Sequence, residues 1–151
     1  MSDSRPTDCP FCGLPSERIL AGNALALAVA DAFPVSAGHA LVISRRHVSS
    51  LFELTEAELA AVHELLRWMK DRLDESLKPG GYNVGVSVGA VAGQTVAHVH
   101  VHLIPRYAGD VGDRVGGVRN IIPGSARYPG AGPPAATVRG WHLLPPGSNS
   151  V

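Results

Sequence analysis

The stretch His98-Val99-His100-Val101-His102-Leu103 places three histidines at every second position, with aliphatic residues between them. In an extended strand, side chains two residues apart leave the same face about 6.6 to 7 Å from one another. The pattern therefore predicts a row of imidazoles backed by core valines, and packing alone does not ask for such a row. Two kinds of chemistry use it. Two imidazoles can ligate one metal ion, with a third ligand from elsewhere, in a hydrolase or oxygenase site. Alternatively, a neutral imidazole held in one tautomer by a backbone carbonyl can itself attack phosphorus. Spacing leaves both open. A second reactive group is Cys9-Pro10-Phe11-Cys12, which holds the only two cysteines of the chain. In a reducing compartment a Cys-x-x-Cys pair is more often a metal clip or a redox pair than a structural disulfide.

Several elements must position these residues. Leu59, Val62, Leu66, Met69, Leu73 and Leu77 recur at spacings of three and four and predict one helix over about Glu56 to Leu77. Thr55 with Glu58 reads as its capping box, Leu54 with Leu59 as a hydrophobic staple, and Pro79-Gly80-Gly81 as its stop. The same stripe accounts for His63 and Trp68 without assigning them a function. Four segments alternate with period two: Ala24 to Ala30, His39 to Ser44, Tyr82 to Val88, and His98 to Pro105. In the second, His39 shares a face with Leu41 and Ile43. Strands on both sides of one long helix, joined by short links, predict an antiparallel α+β domain.

The chain has 151 residues, 45% hydrophobic and 17% charged, which suits one soluble domain with a sizeable core. Thirteen basic and thirteen acidic side chains cancel, and no basic block tracks a phosphate backbone, so long nucleic acid is not an expected partner. Without a run of about 20 apolar residues or a signal-peptide pattern, the expectation is a cytoplasmic protein with no membrane association. Glycine and proline concentrate toward the C-terminus. The expected division is a folded domain over 1–123 and an irregular tail over 124–151, in which Trp141 to Leu144 could dock on a body or partner.

The segment Ala92-Gly93-Gln94-Thr95-Val96 leading into the histidine row, and Leu103-Ile104-Pro105-Arg106 after it, resemble the signature of the histidine triad (HIT) superfamily. Asp31 with Pro34, Gly38-His39, Leu41-Val42-Ile43, Arg46-His47-Val48 and the Cys9–Cys12 segment resemble its upstream half in the same order. The resemblance spans about Cys9 to Pro123 and is nearest to bacterial members allied to the Hint and Fhit branches. It implies a half-barrel sheet whose two protomers join into one continuous sheet, hence a homodimer, with a purine nucleotide bound beside the row.

Carried over by position, the resemblance implies that His100 is the nucleophile, forming a nucleotidyl-phosphohistidine that water resolves, within a catalytic set of His98, His100, His102 and His39. His102 and His39 would stabilise charge on the phosphate oxygens. Gln94 and Thr95 would hold non-bridging oxygens, Asp31 the ribose hydroxyls, and Phe11, Leu14 and Val29 the base. Asp31 read alone would instead open the Phe33-Pro34 turn, and Gln94 would cap a loop. Ser87 stands where many members carry Asn or Gln; it reaches less far and offers fewer hydrogen bonds toward the substrate.

A related resemblance implies structural zinc on Cys9, Cys12, His47 and His98, two thiolates and two imidazoles closing a tetrahedral site. No catalytic cofactor is implied. The implied reaction releases a nucleoside monophosphate, AMP in the first instance, from a phosphoramidate or a dinucleoside polyphosphate. The alternatives are nucleotidyl transfer or phosphorolysis, a non-catalytic nucleotide-binding adaptor, and a mononuclear metal enzyme at the row.

Overall fold

The computed structural model describes residues 6–124, so the Trp141 to Leu144 stretch lies outside the described residues. Five strands, β1 (Ile19–Gly22), β2 (Ala26–Ala30), β3 (Ala40–Ser44), β4 (Gly81–Gly85) and β5 (His100–Arg106), form one sheet in the order β1-β2-β3-β5-β4. All neighbours run antiparallel. One α-helix among the described residues, α1 (Glu56–Ser76), links β3 to β4. This is the expected α+β fold. No helix among the described residues is long and apolar enough to cross a membrane.

The helix covers one face. Ala26 and Ala28 of β2, Ala40 and Val42 of β3, and Val101 and Leu103 of β5 pack there with Val62, Leu65, Met69 and Leu73 of α1. Alanines on β2 let the helix approach closely, and each large aliphatic side chain buried in the seam contributes about 1.5–3 kcal/mol. Val29, Leu41 and Ile43 form a separate cluster with Phe11, Leu14, Ile19 and Leu27. Strand register places Leu27, Ile43 and His100 side by side, and likewise Val29, Leu41 and His102. The histidine row therefore continues an apolar floor across three strands.

Several details differ from the sequence reading. β1 was not expected; Ile19 and Leu20 are followed at once by Ala21 and Gly22, too short a run to show alternation. β2 begins at Ala26 because the Asn23 side chain accepts hydrogen bonds from the Leu25 and Ala26 N–H groups and turns the chain there. β4 ends at Gly85, and β5 starts at His100 rather than His98. Leu59 and Leu77 are 41% and 42% exposed, so the Leu54–Leu59 staple is not formed as a buried pair. Leu65 and Glu58 occupy the buried stripe instead. By its contacts the chain divides into two compact units, Met1–Asp113 and Arg114–Val151. In the second unit the described structure is one 3-10 turn, Gly117–Ile121.

Glu58 is buried for a reason. It completes the capping box with Thr55, its carboxylate accepting from the Thr55 N–H at 2.8 Å while Thr55 Oγ1 accepts from the Glu58 N–H. The same carboxylate takes a bidentate pair from Arg46, 2.8 Å at each oxygen, and Arg46 also donates to the Glu53 carbonyl. The Arg46 hydrogen bonds, with those from Thr55, pull the Glu58 carboxyl down to about 2 despite burial. A depressed carboxyl contributes stability that is present above its ordinary value near 4.5 and is lost as pH falls toward 2. Because Arg46 is half exposed, solvent screening holds the net effect to roughly 1–2 kcal/mol. Glu58→Gln should lower stability by that amount at pH 7 in urea titrations, with the gap to wild type closing between about pH 4.5 and 2.

Candidate active site and metal centre

Four side chains from three parts of the chain meet at one end of β5. The Cys12 Sγ lies 3.3 Å from His47 Nδ1, and His98 Nδ1 lies 3.6 Å from both Cys9 Sγ and Cys12 Sγ. Their ligand atoms all fall within 4.8 Å of one another, and neither cysteine is in a disulfide. A tetrahedral ion with Zn–S near 2.3 Å and Zn–N near 2.0 Å would separate S and N ligands by about 3.5 Å. The observed separations fit. His98 is 1% exposed, and its Nε2 sits 2.8 Å from the Ser44 carbonyl, which accepts its proton. That leaves Nδ1 with a lone pair facing the thiols, as a metal-ligating imidazole requires. The local backbone explains the convergence: the Val99 N–H donates to the Val48 carbonyl, pinning His98 beside His47, and Ser44 Oγ donates to the Arg46 carbonyl. The four residues form a cluster able to hold a metal ion.

His100 comes next on β5. Its Nδ1 is 2.8 Å from the His98 carbonyl, so Nδ1 carries the proton and donates it. Nε2 then keeps its lone pair and has no hydrogen-bond partner among the described residues. The ring is 8% exposed and lies against Phe11, centroids 5.2 Å apart, and against His102, also at 5.2 Å.

His102 and His39 form a hydrogen-bonded pair, Nδ1 to Nε2 at 2.9 Å, and Asp31 Oδ2 lies 3.3 Å from His39 Nε2 and 3.9 Å from His102 Nδ1. These three also meet as a possible metal-binding group. The far side of His39 argues for a different use. The Val35 N–H donates to His39 Nδ1 at 3.2 Å, so the His39 proton must sit on Nε2, the atom that a metal would need bare. His39 thus donates toward His102 and Asp31, and His102, accepting at Nδ1, carries its own proton on Nε2. Burial lowers the pKa of His39, opposed by the Asp31 charge. Burial, then the neighbouring His100 and His39, lowers that of His102, again opposed by Asp31.

The other expected residues fall around this core. Phe11, Leu14 and Val29 join one apolar cluster. Asp31 Oδ1 accepts from the Phe33 N–H at 2.8 Å, making the turn that its local sequence suggests. Gln94 staples a loop: its Oε1 accepts from the Gly89 N–H, and its Nε2 donates to the Ser49 and Val96 carbonyls. Thr95 is exposed, and Ser87 is half-buried just beyond β4. Gly85, opposite His102, leaves open space where a side chain would stand. Sequence reasoning did not single out Ser44 and Val35, whose backbone groups set two tautomers; only backbone geometry reveals such roles.

Because folded His39 and His102 titrate below the ordinary 6.5, folding releases protons as pH falls through that value. Their contribution to stability is complete above about pH 6.5 and is lost below it. Urea midpoints should drop as pH falls below about 6.5, and His39→Gln should flatten that slope.

Comparison with known proteins agrees with this geometry. The HIT domain family model matches residues 15–109. An adenosine 5'-monophosphoramidase of Schizosaccharomyces pombe is 37% identical over 112 residues, 72% of this chain and 81% of that protein. An AP-4-A phosphorylase of Mycobacterium tuberculosis is 36% identical over 69% of this chain, which spans 54% of it. The crystal structure of a Zn-bound histidine triad family protein from Mycobacterium smegmatis superposes with a TM-score of 0.62 at 30% identity, covering 68% of this chain and 78% of that one. With its imidazole row, its sheet and these relatives in agreement, the chain belongs to the HIT domain family.

Proposed function

We propose that the protein cleaves a nucleoside monophosphate, AMP in the first instance, from a phosphoramidate or a dinucleoside polyphosphate through a phosphohistidine at His100. The observation that carries this reading is the His100 tautomer. Its Nδ1 proton is taken by the His98 carbonyl, and its Nε2 lone pair lies beside an apolar floor suited to a nucleoside. Nε2 attacks phosphorus, the leaving group departs, and water then displaces the nucleotide from the ring. His102 Nε2–H is the donor to a phosphate oxygen. His39, only 6% exposed, acts behind it by holding the His102 ring and tautomer. Asp31 has remaining lone pairs for ribose hydroxyls, Phe11 and Leu14 line the base with the fully buried Val29 packed behind them rather than facing it, and Gln94 holds the loop that presents Thr95 and, before it, Ser87.

The relatives support nucleotide chemistry at such a site, and the phosphorylase among them favours a second reading in which phosphate replaces water as acceptor. Zinc on Cys9, Cys12, His47 and His98 suits the donor set and separations; when bound it supplies a cross-link between the N-terminal segment and the sheet. We further propose a homodimer formed by a second copy at the β4 edge, where Val84 is 48% exposed beside an apolar groove of Leu51, Leu59, Leu66 and Val86. This pairing would also cover the exposed Leu59.

His100→Asn should bind AMP within about tenfold of wild type while kcat falls by roughly three orders of magnitude, about 4 kcal/mol of transition-state stabilisation. Turnover of adenosine phosphoramidate and of dinucleoside polyphosphates, with and without added phosphate, measures both the loss and the preferred acceptor. Near-normal turnover by the variant would remove the nucleophile assignment. Elemental analysis should find about one zinc per chain, and replacing Cys9 and Cys12 together by Ser should remove it and lower thermal stability while measurable turnover persists.

A further inference from the structure

Phe11 stands between the two cysteines in the chain and between the two candidate sites in space. Its ring meets His98 edge-on at 5.8 Å and His100 at 5.2 Å, and it packs on the cluster of Val29, Leu41 and Ile43. The segment that carries it is built as a turn, not a strand. Its backbone hydrogen bonds among the described residues are local: the Cys9 N–H donates to Pro6, and the Cys12 and Gly13 N–H groups donate to Cys9. Side chains therefore fasten this segment to the sheet, the cysteines at His98 and His47 and Phe11 and Leu14 on the apolar floor.

We propose that Phe11 is a positioning residue that couples the Cys/His centre to the nucleotide face, so that metal and nucleotide each bind more tightly in the presence of the other. Closing Cys9 and Cys12 around an ion fixes the turn between them and with it the angle of the Phe11 ring. A base seated on that ring holds the same turn closed from the other side. A second link runs through the backbone, since His98 faces the thiols with its ring and holds the His100 Nδ1–H with its carbonyl. The backbone link survives loss of the ring, but it orients only the nucleophile; the wall against which a base would pack depends on Phe11. Linkage requires the effect to be equal in both directions. The inference rests on the nucleotide reading above.

Two measurements on the full chain test it. AMP affinity by calorimetry should be about tenfold tighter in zinc-loaded than in zinc-stripped wild type, and zinc affinity by equilibrium competition with a chelator should be about tenfold tighter with saturating AMP. In Phe11→Ala, still binding one zinc, both ratios should fall to within about twofold of unity. Phe11→Leu, which keeps apolar bulk without the ring, serves if the Ala variant is poorly folded and should likewise lose most of the coupling. The competition measurement starts from loaded protein and reads zinc affinity at equilibrium, so it decides the matter even where the stripped chain unfolds. Ratios near unity in wild type, or a tenfold ratio retained without the ring, would overturn the coupling while AMP binding itself left the nucleotide reading standing. Failure of loaded wild type to bind AMP at all would overturn both.

Discussion

Strand β5 can lie in its sheet in only one way, and the rest of the structure follows from that constraint. Its side chains alternate between imidazoles and aliphatics, and it is bonded on both sides, to β3 and β4. A slip of one residue would turn Val101 and Leu103 away from the helix and drive His100 and His102 into the Ala- and Leu-lined seam. Burying two imidazoles there without partners would cost several kcal/mol on top of the lost apolar contacts. The register that satisfies the core therefore also places His100 beside Ile43 and His102 beside Leu41.

Once the row is placed, backbone groups decide what each ring can do. The Ser44 carbonyl takes the Nε2 proton of His98 and leaves Nδ1 for the thiols. The His98 carbonyl accepts the Nδ1 proton of His100 and leaves the Nε2 lone pair bare. The Val35 amide gives a proton to His39 Nδ1 and so makes the opposite nitrogen a donor. Three rings of identical chemistry offer different nitrogens to their surroundings because one is held by a carbonyl at its far nitrogen, one by a carbonyl at its near nitrogen, and one by an N–H. Both metal ligation and nucleophilic attack, which the spacing alone leaves open, are thus supported at adjacent histidines.

Much of the site was legible because its signals are local. The helix start follows from Thr55 and Glu58, and the face of each strand follows from size alternation. What was not legible depends on contacts distant in sequence. Glu58 joins the buried stripe because Arg46 reaches it, whereas Leu59, apolar and correctly spaced, points into an open groove. His98 belongs to the row by spacing, yet it leaves the strand to face the cysteines, and no periodicity distinguishes those states. Asp31 makes the turn with one carboxylate oxygen, as its local sequence suggests, while the other faces His39, a contact distant in sequence.

The single helix explains how two loops hold their histidines without regular structure of their own. At its N-terminus the Arg46–Glu58 pair fastens the residue immediately before His47. At its C-terminal end Leu73 and Leu77 press on Gly38, where an added Cβ would lie 2.6 and 2.9 Å from their side chains and φ is +85°. Only glycine satisfies both demands there, and the next residue is His39. The loop is closed further by the Asp31 N–H donating to the His39 carbonyl and by the Tyr107 hydroxyl donating to Ala37. One rigid rod thus fixes a ligand of the cysteine cluster at one end and the support of His102 at the other. Substitutions that loosen α1 should therefore disturb both histidine sites together, although no residue of the helix belongs to either.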